Sequence, residues 1–220
     1  MTQIPFICLT IVCVVLGVLN TIFYKLLGWK GVLIRGIGII ALLTLSLVTA
    51  NLRSIGNAFP LFITIALAVN LLAEATMVSM EEGDKLKPII NGVCFSVSSV
   101  LFALSAMSLA EPNILALLGG LFVGLGFGLV VCSIRKNKGG NRIVMNIISF
   151  TCVGLLMGFG ISAVLTSRHL ISAILMLLGG VAMLIHRTLV VCGRGKTAGY
   201  LASAFLYFAL ITLSISIYFY

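Results

Sequence analysis

Eight long apolar runs, joined by short polar connections, leave this 220-residue chain few ways to fold. They cover approximately residues 3–24, 31–49, 59–80, 89–110, 114–134, 143–166, 170–191 and 199–219. Each matches the roughly 20 residues an α-helix needs to cross the hydrocarbon core of a bilayer. A membrane β-barrel would show short alternating segments instead. Hydrophobic residues make up 61% of the chain and charged residues 9%, whereas a soluble domain carries roughly a quarter charged residues. The reading is an all-α polytopic membrane bundle of eight transmembrane helices. No connection is long enough to fold alone, so 1–220 is a single transmembrane domain. Runs two and seven are the most interrupted, by Arg35 and by the pair His186-Arg187.

The net charge of +9 does not describe a nucleic-acid surface. Ten of the 14 Lys and Arg residues fall in the connections after runs one, three, five and seven, with Arg187 at the end of run seven beside the last of them, and they form no patch interleaved with aromatic residues. Positive-inside sorting puts those connections in the cytoplasm and both termini outside, as expected in a bacterial plasma membrane. Trp29 and the closing Tyr218-Phe219-Tyr220 suit the two interfacial aromatic belts. The opening MTQIPF lacks a basic n-region, so run one reads as a retained span and not as a signal peptide. Six cysteines, all in or beside spans, have spacings that suit neither zinc nor a disulfide framework. They read as reduced apolar fillers, and no metal or cofactor is called for.

One acidic residue lies well inside an apolar run. Run three holds Asn70 and Glu74, four residues apart and so on one helix face. A carboxylate in hydrocarbon is costly, and normally faces the bundle interior with a partner. The topology puts Arg35, Asn146, His186 and Arg187 at a depth similar to Glu74, with Ser96, Ser98 and Ser99 near the middle of run four. The expected result is a polar cavity opening toward the cytoplasmic leaflet, with Glu74 and Arg187 as partners across runs three and seven. Blander roles are open: snorkelling for Arg35 and Arg187, a boundary position for His186, helix packing for the serines.

Three other patterns carry less. Gly120, Gly124 and Gly128 in run five let two helices approach closely, either within the chain or as a homodimer seam. Shifted by 113 residues, Leu71-Leu72-Ala73-Glu74 falls on Leu184-Ile185-His186-Arg187, an echo of two parallel four-helix halves. Gly193-Arg194-Gly195-Lys196-Thr197 looks like a phosphate-loop ending, but Val190 stands where that loop needs glycine and no strand precedes it. The run Glu81-Glu82-Gly83-Asp84 lacks calcium-loop spacing.

With these residues in place, the chain resembles the YhhN-like family of membrane lysoplasmalogenases through span order, loop lengths and part of its motifs. Ala73-Glu74 stands at the family's Gly-Asp pair. Gly92 and Phe95 set the register of a glycine-phenylalanine-histidine-tyrosine pattern in run four, with Ser99 at the histidine and Phe102 at the tyrosine. Residues 178–187 are similar to a run ending in Ser-Asp, replaced here by His186-Arg187. Tyr207 and Ala209 are kept in a late Tyr-Tyr-x-Ala-Gln pattern whose glutamine is lost. The resemblance implies hydrolysis of the vinyl-ether bond of lysoplasmalogens to a fatty aldehyde and a glycerophospho-base, with membrane lipids as partners. Glu74 is then the catalytic acid, and Asn70, Arg35, Ser99, His186 and Arg187 bind substrate. The alternative is a permease or lipid-binding relative that has lost hydrolysis. A third reading makes Glu74 and Arg187 a structural lock.

Overall fold

The computed structural model describes residues 3–23, 28–53, 57–79, 86–135, 140–193 and 195–220. Expectations that rest on Lys25, the acidic run 81–84, Lys85, Lys136, Lys138 and Arg194 lie outside them, as do those on the side chains of Trp29, Arg53, Glu74 and Lys87. The described chain forms eight α-helices and one closing 3-10 turn. They are α1 (Gln3–Ile22), α2 (Gly28–Arg53), α3 (Ala58–Ser79), α4 (Lys87–Met107), α5 (Ile114–Arg135), α6 (Gly140–Thr166), α7 (Leu170–Cys192) and α8 (Gly195–Ser216). Seven of them are long and apolar enough to cross a membrane, and α3 adds the apolar stretch Ala58–Ala73. The chain is an integral membrane protein built as a helical bundle.

Outward faces are apolar, as lipid requires. Ile4, Ile11 and Val15 on α1, and Leu115, Phe122 and Ile134 on α5, are exposed. With little hydrophobic force between helices in lipid, close packing and hydrogen bonds hold the bundle. Neighbouring helices pack in the order α8, α1, α2, α3, α4, α6, α7 and back to α8, with α5 laid outside against α6. The pairs α2–α8 and α3–α8 correspond to α6–α4 and α7–α4 under an exchange of chain halves. The helix α1 bridges α2 and α8, whereas α5 leans on α6 and α7, so the first helix of each half departs from that scheme.

The glycine face of α5 is filled by α6 of the same chain. A Cβ at Gly120 would lie 2.7 Å from the Gly158 Cα, and one at Gly124 would lie 2.9 Å from the Gly154 Cα. At Gly128 it would meet the Phe150 Cβ at 3.2 Å. Of the two packings the spacing allows, this is the intramolecular one. Gly126, on another face of α5, has nothing within 4 Å of its Cβ position. Gly124→Ala is therefore expected to push α5 from α6 and cost about 1–3 kcal/mol. Gly126→Ala should be neutral, or stabilising by up to about 1 kcal/mol through helix propensity. Thermal unfolding in detergent checks the contrast, and equal losses in the two variants would contradict it.

Side-chain hydrogen bonds tie the end of the bundle where the chain terminates. Ser105 Oγ donates to the Phe59 carbonyl at 2.9 Å, Ser172 Oγ to the Ser216 carbonyl at 2.9 Å, and Ser167 Oγ to the Leu109 carbonyl at 3.2 Å. Asn113 caps α5, its Oδ1 accepting from the Leu115 and Ala116 amides. Tyr218 stacks on Phe6 with centroids 3.9 Å apart. Tyr220 lies against Phe59 at 4.7 Å and His169 at 4.9 Å. These terminal aromatics hold α1, α3, α7 and the closing turn together.

Candidate functional site

A cavity of about 400 Å³ lies between α2, α3, α4, α7 and α8. That is within the usual range for small-ligand sites. Its position follows from which part of each helix lines it. Arg35 and Asn91 come from the early turns of α2 and α4, Asn70 and Ala73 from the later half of α3. His186 and Leu189 come from the last turns of α7, and Ala202 and Ser203 from early in α8. The cavity therefore sits at the end of the bundle that carries the basic connections. Phe95, Leu189, Val190 and Leu206 give it apolar walls beside the polar groups.

Gly193, at the end of α7, lines one side. It has an extended backbone and its N–H bonded to the Leu189 carbonyl at 2.8 Å. A Cβ there would come within 2.6 Å of the Ala198 Cβ, so the position is open only to glycine. This places the start of α8 beside the end of α7 and brings Ala202 to His186. His186 Nδ1 lies 2.7 Å from the Ala202 carbonyl oxygen, and its ring is tilted against Phe95 at 5.6 Å.

Arg187 is 3% exposed and stands between α4, α6 and α7. Its Nη2 donates to Asn146 Oδ1 at 2.9 Å and its Nη1 to Asn91 Oδ1 at 3.4 Å. Its guanidinium carbon lies 5.3 Å from the centre of the Phe95 ring. Among the described residues, Nε is buried without a hydrogen-bond partner, and two neutral amide oxygens and an aromatic face hold the guanidinium in the bundle interior. Snorkelling does not describe it, because its head is packed against protein groups instead of reaching out along the surface. Asn91 and Phe95 face both Arg187 and the cavity, so they form the wall between the two.

The residues singled out from the sequence divide accordingly. Arg35, Asn70 and His186 line the cavity together. Asn70 is 5% exposed, and its Nδ2 donates to the Ala66 carbonyl at 2.9 Å. Arg187 lies behind the Asn91–Phe95 wall. Ser99 is buried and donates to the Phe95 carbonyl at 2.7 Å, so it supports the helix that carries Phe95 without lining the cavity. Ser96 bonds to Ser149 of α6 at 3.1 Å, and Ser98 to the Phe95 carbonyl at 3.0 Å. The Glu74 side chain lies outside the described residues, but position 74 follows Ala73 and comes one turn after Asn70, both on the cavity wall.

Three contributors were not singled out as site residues. Asn91 sits one turn into α4, at the depth that drew attention to Arg35 and Asn146, and that signal could have found it. Ser203 carried no signal beyond being polar in an apolar run. Tyr207, retained in the late aromatic pattern, lines the cavity and donates its hydroxyl to the Arg35 carbonyl at 3.4 Å. Among the described residues no group of three or more His, Cys, Asp or Glu side chains converges as a metal site. Comparison with protein-family models, curated proteins and solved structures finds no match to this chain.

Proposed function

We propose that the protein is a membrane lipid hydrolase of the lysoplasmalogenase kind, cleaving the vinyl-ether bond of a single-chain glycerophospholipid within this cavity. The observation that supports it best is the cavity's two-sided chemistry at the basic end of the bundle. Arg35, Asn70, Asn91 and Ser203 offer polar contacts to a headgroup, while Phe95, Leu189 and Leu206 offer an apolar surface to the start of a chain. Vinyl-ether hydrolysis needs an acid that protonates the β-carbon and a water that attacks the resulting oxocarbenium carbon. Glu74 is the acid in this reading. Arg35 takes the lipid phosphate, for which a guanidinium offers paired donors.

Purified protein should release aldehyde and glycerophospho-base in equal amounts from an alkenyl lysolipid, and Ser203→Trp, which crowds the cavity, should abolish the release. Full turnover in the Trp variant would place the chemistry elsewhere.

A second reading, a lipid-binding relative without hydrolysis, is favoured by Ser99 and His186-Arg187 standing where the resembled family has histidine and Ser-Asp. It predicts saturable lysolipid binding with no aldehyde.

The basic end belongs in the cytoplasm of a bacterial cell, with both termini outside, since Lys and Arg collect on that side. A cysteine introduced at position 138, in a background freed of its six native cysteines, should resist membrane-impermeant reagents in intact cells. Labelling from outside would reverse the orientation and the leaflet from which lipid enters.

A further inference from the structure

His186 lines the cavity with one ring nitrogen already committed. Its Nδ1 lies 2.7 Å from the Ala202 carbonyl oxygen. A carbonyl oxygen only accepts, so Nδ1 carries the hydrogen of that bond, and the neutral ring keeps its basic lone pair on Nε2. Phe95 supports the ring at 5.6 Å, and Ala202, on the first turns of α8, is itself buried. Orientation and tautomer are therefore set by the α7–α8 pairing that Gly193 allows. A boundary histidine at the membrane surface would have neither constraint.

We propose that His186 Nε2 is the proton acceptor of the cavity, and that it activates the attacking water in vinyl-ether hydrolysis. This rests on the hydrolase reading and supplies the base that reading lacks. The steps balance with no co-reactant besides water. Glu74 gives its proton to the β-carbon, and the adjoining carbon becomes the oxocarbenium centre. Water bonds to that carbon while Nε2 takes one of its protons, leaving a hemiacetal and an imidazolium. The hemiacetal hydroxyl returns its proton to the Glu74 carboxylate, the carbon–oxygen bond to glycerol breaks, and the imidazolium protonates the departing oxygen. One water is consumed, aldehyde and alcohol leave, and both side chains return to their starting state.

His186→Asn separates the two nitrogens. An asparagine amide can donate to the Ala202 carbonyl from near the Nδ1 position, but it has nothing at Nε2. The variant should keep its melting temperature and its Kd for a saturated alkyl-ether lysolipid within about threefold, and lose on the order of a hundredfold or more in kcat. His169→Asn is the control, because His169 packs on Tyr220 at the opposite end of the bundle, and it should keep kcat. If His186→Asn unfolds, nitrogen-15 histidine spectra of the parent decide instead. Nδ1 should be the protonated nitrogen, and the Nε2 resonance should move when the alkyl-ether lysolipid is added. An active parent whose His186→Asn variant keeps kcat would overturn the base role alone, as would an Nε2-protonated ring. A parent that binds the lysolipid yet releases no aldehyde would overturn the hydrolase reading, and the base role with it.

Discussion

Replacing Asn146 with leucine is expected to destabilise the protein by roughly 3 kcal/mol, more than removing the arginine that Asn146 serves. Arg187 is 3% exposed, and its best hydrogen bond is the 2.9 Å contact to Asn146 Oδ1. Without that acceptor, the described partners left to the guanidinium are Asn91 at 3.4 Å and the Phe95 face, with Nε unpartnered among the described residues. A hydrogen bond to a charged group contributes about 1.5–3 kcal/mol, and leaving a buried charge short of partners costs more than losing a neutral one. Arg187→Met removes the charge itself. It leaves two amide oxygens, one of them on the cavity-lining Asn91, and should cost only about 1–2 kcal/mol.

The double variant should then be more stable than Asn146→Leu alone, because leucine and methionine pack against each other once the charge is gone. Burial of the lone partner, not loss of the bond, is the dominant effect. Thermal unfolding of the four proteins in one detergent gives the coupling energy. An Asn146→Leu variant as stable as the parent, or strictly additive losses, would mean that the guanidinium finds other partners.

Membrane architecture was open to reading because hydrocarbon dictates it. A run of about 20 apolar residues has no stable spanning form except a helix with its backbone bonds made internally. The eight runs accordingly became α1 to α8, and the differences lie at helix ends. Run 31–49 became Gly28–Arg53, and run 143–166 became Gly140–Thr166. Polar and glycine residues continue those helices past the hydrocarbon, and hydropathy alone does not detect that. Arg35 and His186-Arg187 interrupted the pattern of runs two and seven but not the helices, because these side chains turn inward to the cavity or to polar partners.

Side-chain roles were less legible. Depth placed Arg35 and His186 near Glu74, helix spacing put Asn70 on the face of Glu74, and Arg35, Asn70 and His186 all line the cavity. Depth could not say which way a residue faces around its helix. Ser99 falls on the buried side of α4, and Arg187 falls behind Phe95. Its described partners are Asn91 and Asn146, neutral residues whose importance depends on α4, α6 and α7 meeting at one level. The glycine spacing of α5 marked a close contact without naming its partner. Only the fold assigns that partner, α6.

The second large effect concerns Glu74. In the hydrolase account, no other carboxyl lies inside an apolar run, and position 74 adjoins Ala73 and Asn70 of the cavity wall. Glutamine preserves the shape and polarity of the side chain but cannot give up a proton to carbon. General acid catalysis contributes about 10²–10⁴-fold, so Glu74→Gln should lose at least a hundredfold in kcat while still binding the saturated alkyl-ether lysolipid. The direct measurement is single-turnover aldehyde release from an alkenyl lysolipid by purified parent and Glu74→Gln proteins, matched for folding by thermal unfolding. The account predicts aldehyde in stoichiometric amount from the parent and a rate at least about a hundredfold lower from the variant. Equal rates in the two proteins, or no aldehyde from the parent with any of several alkenyl headgroups, would contradict it.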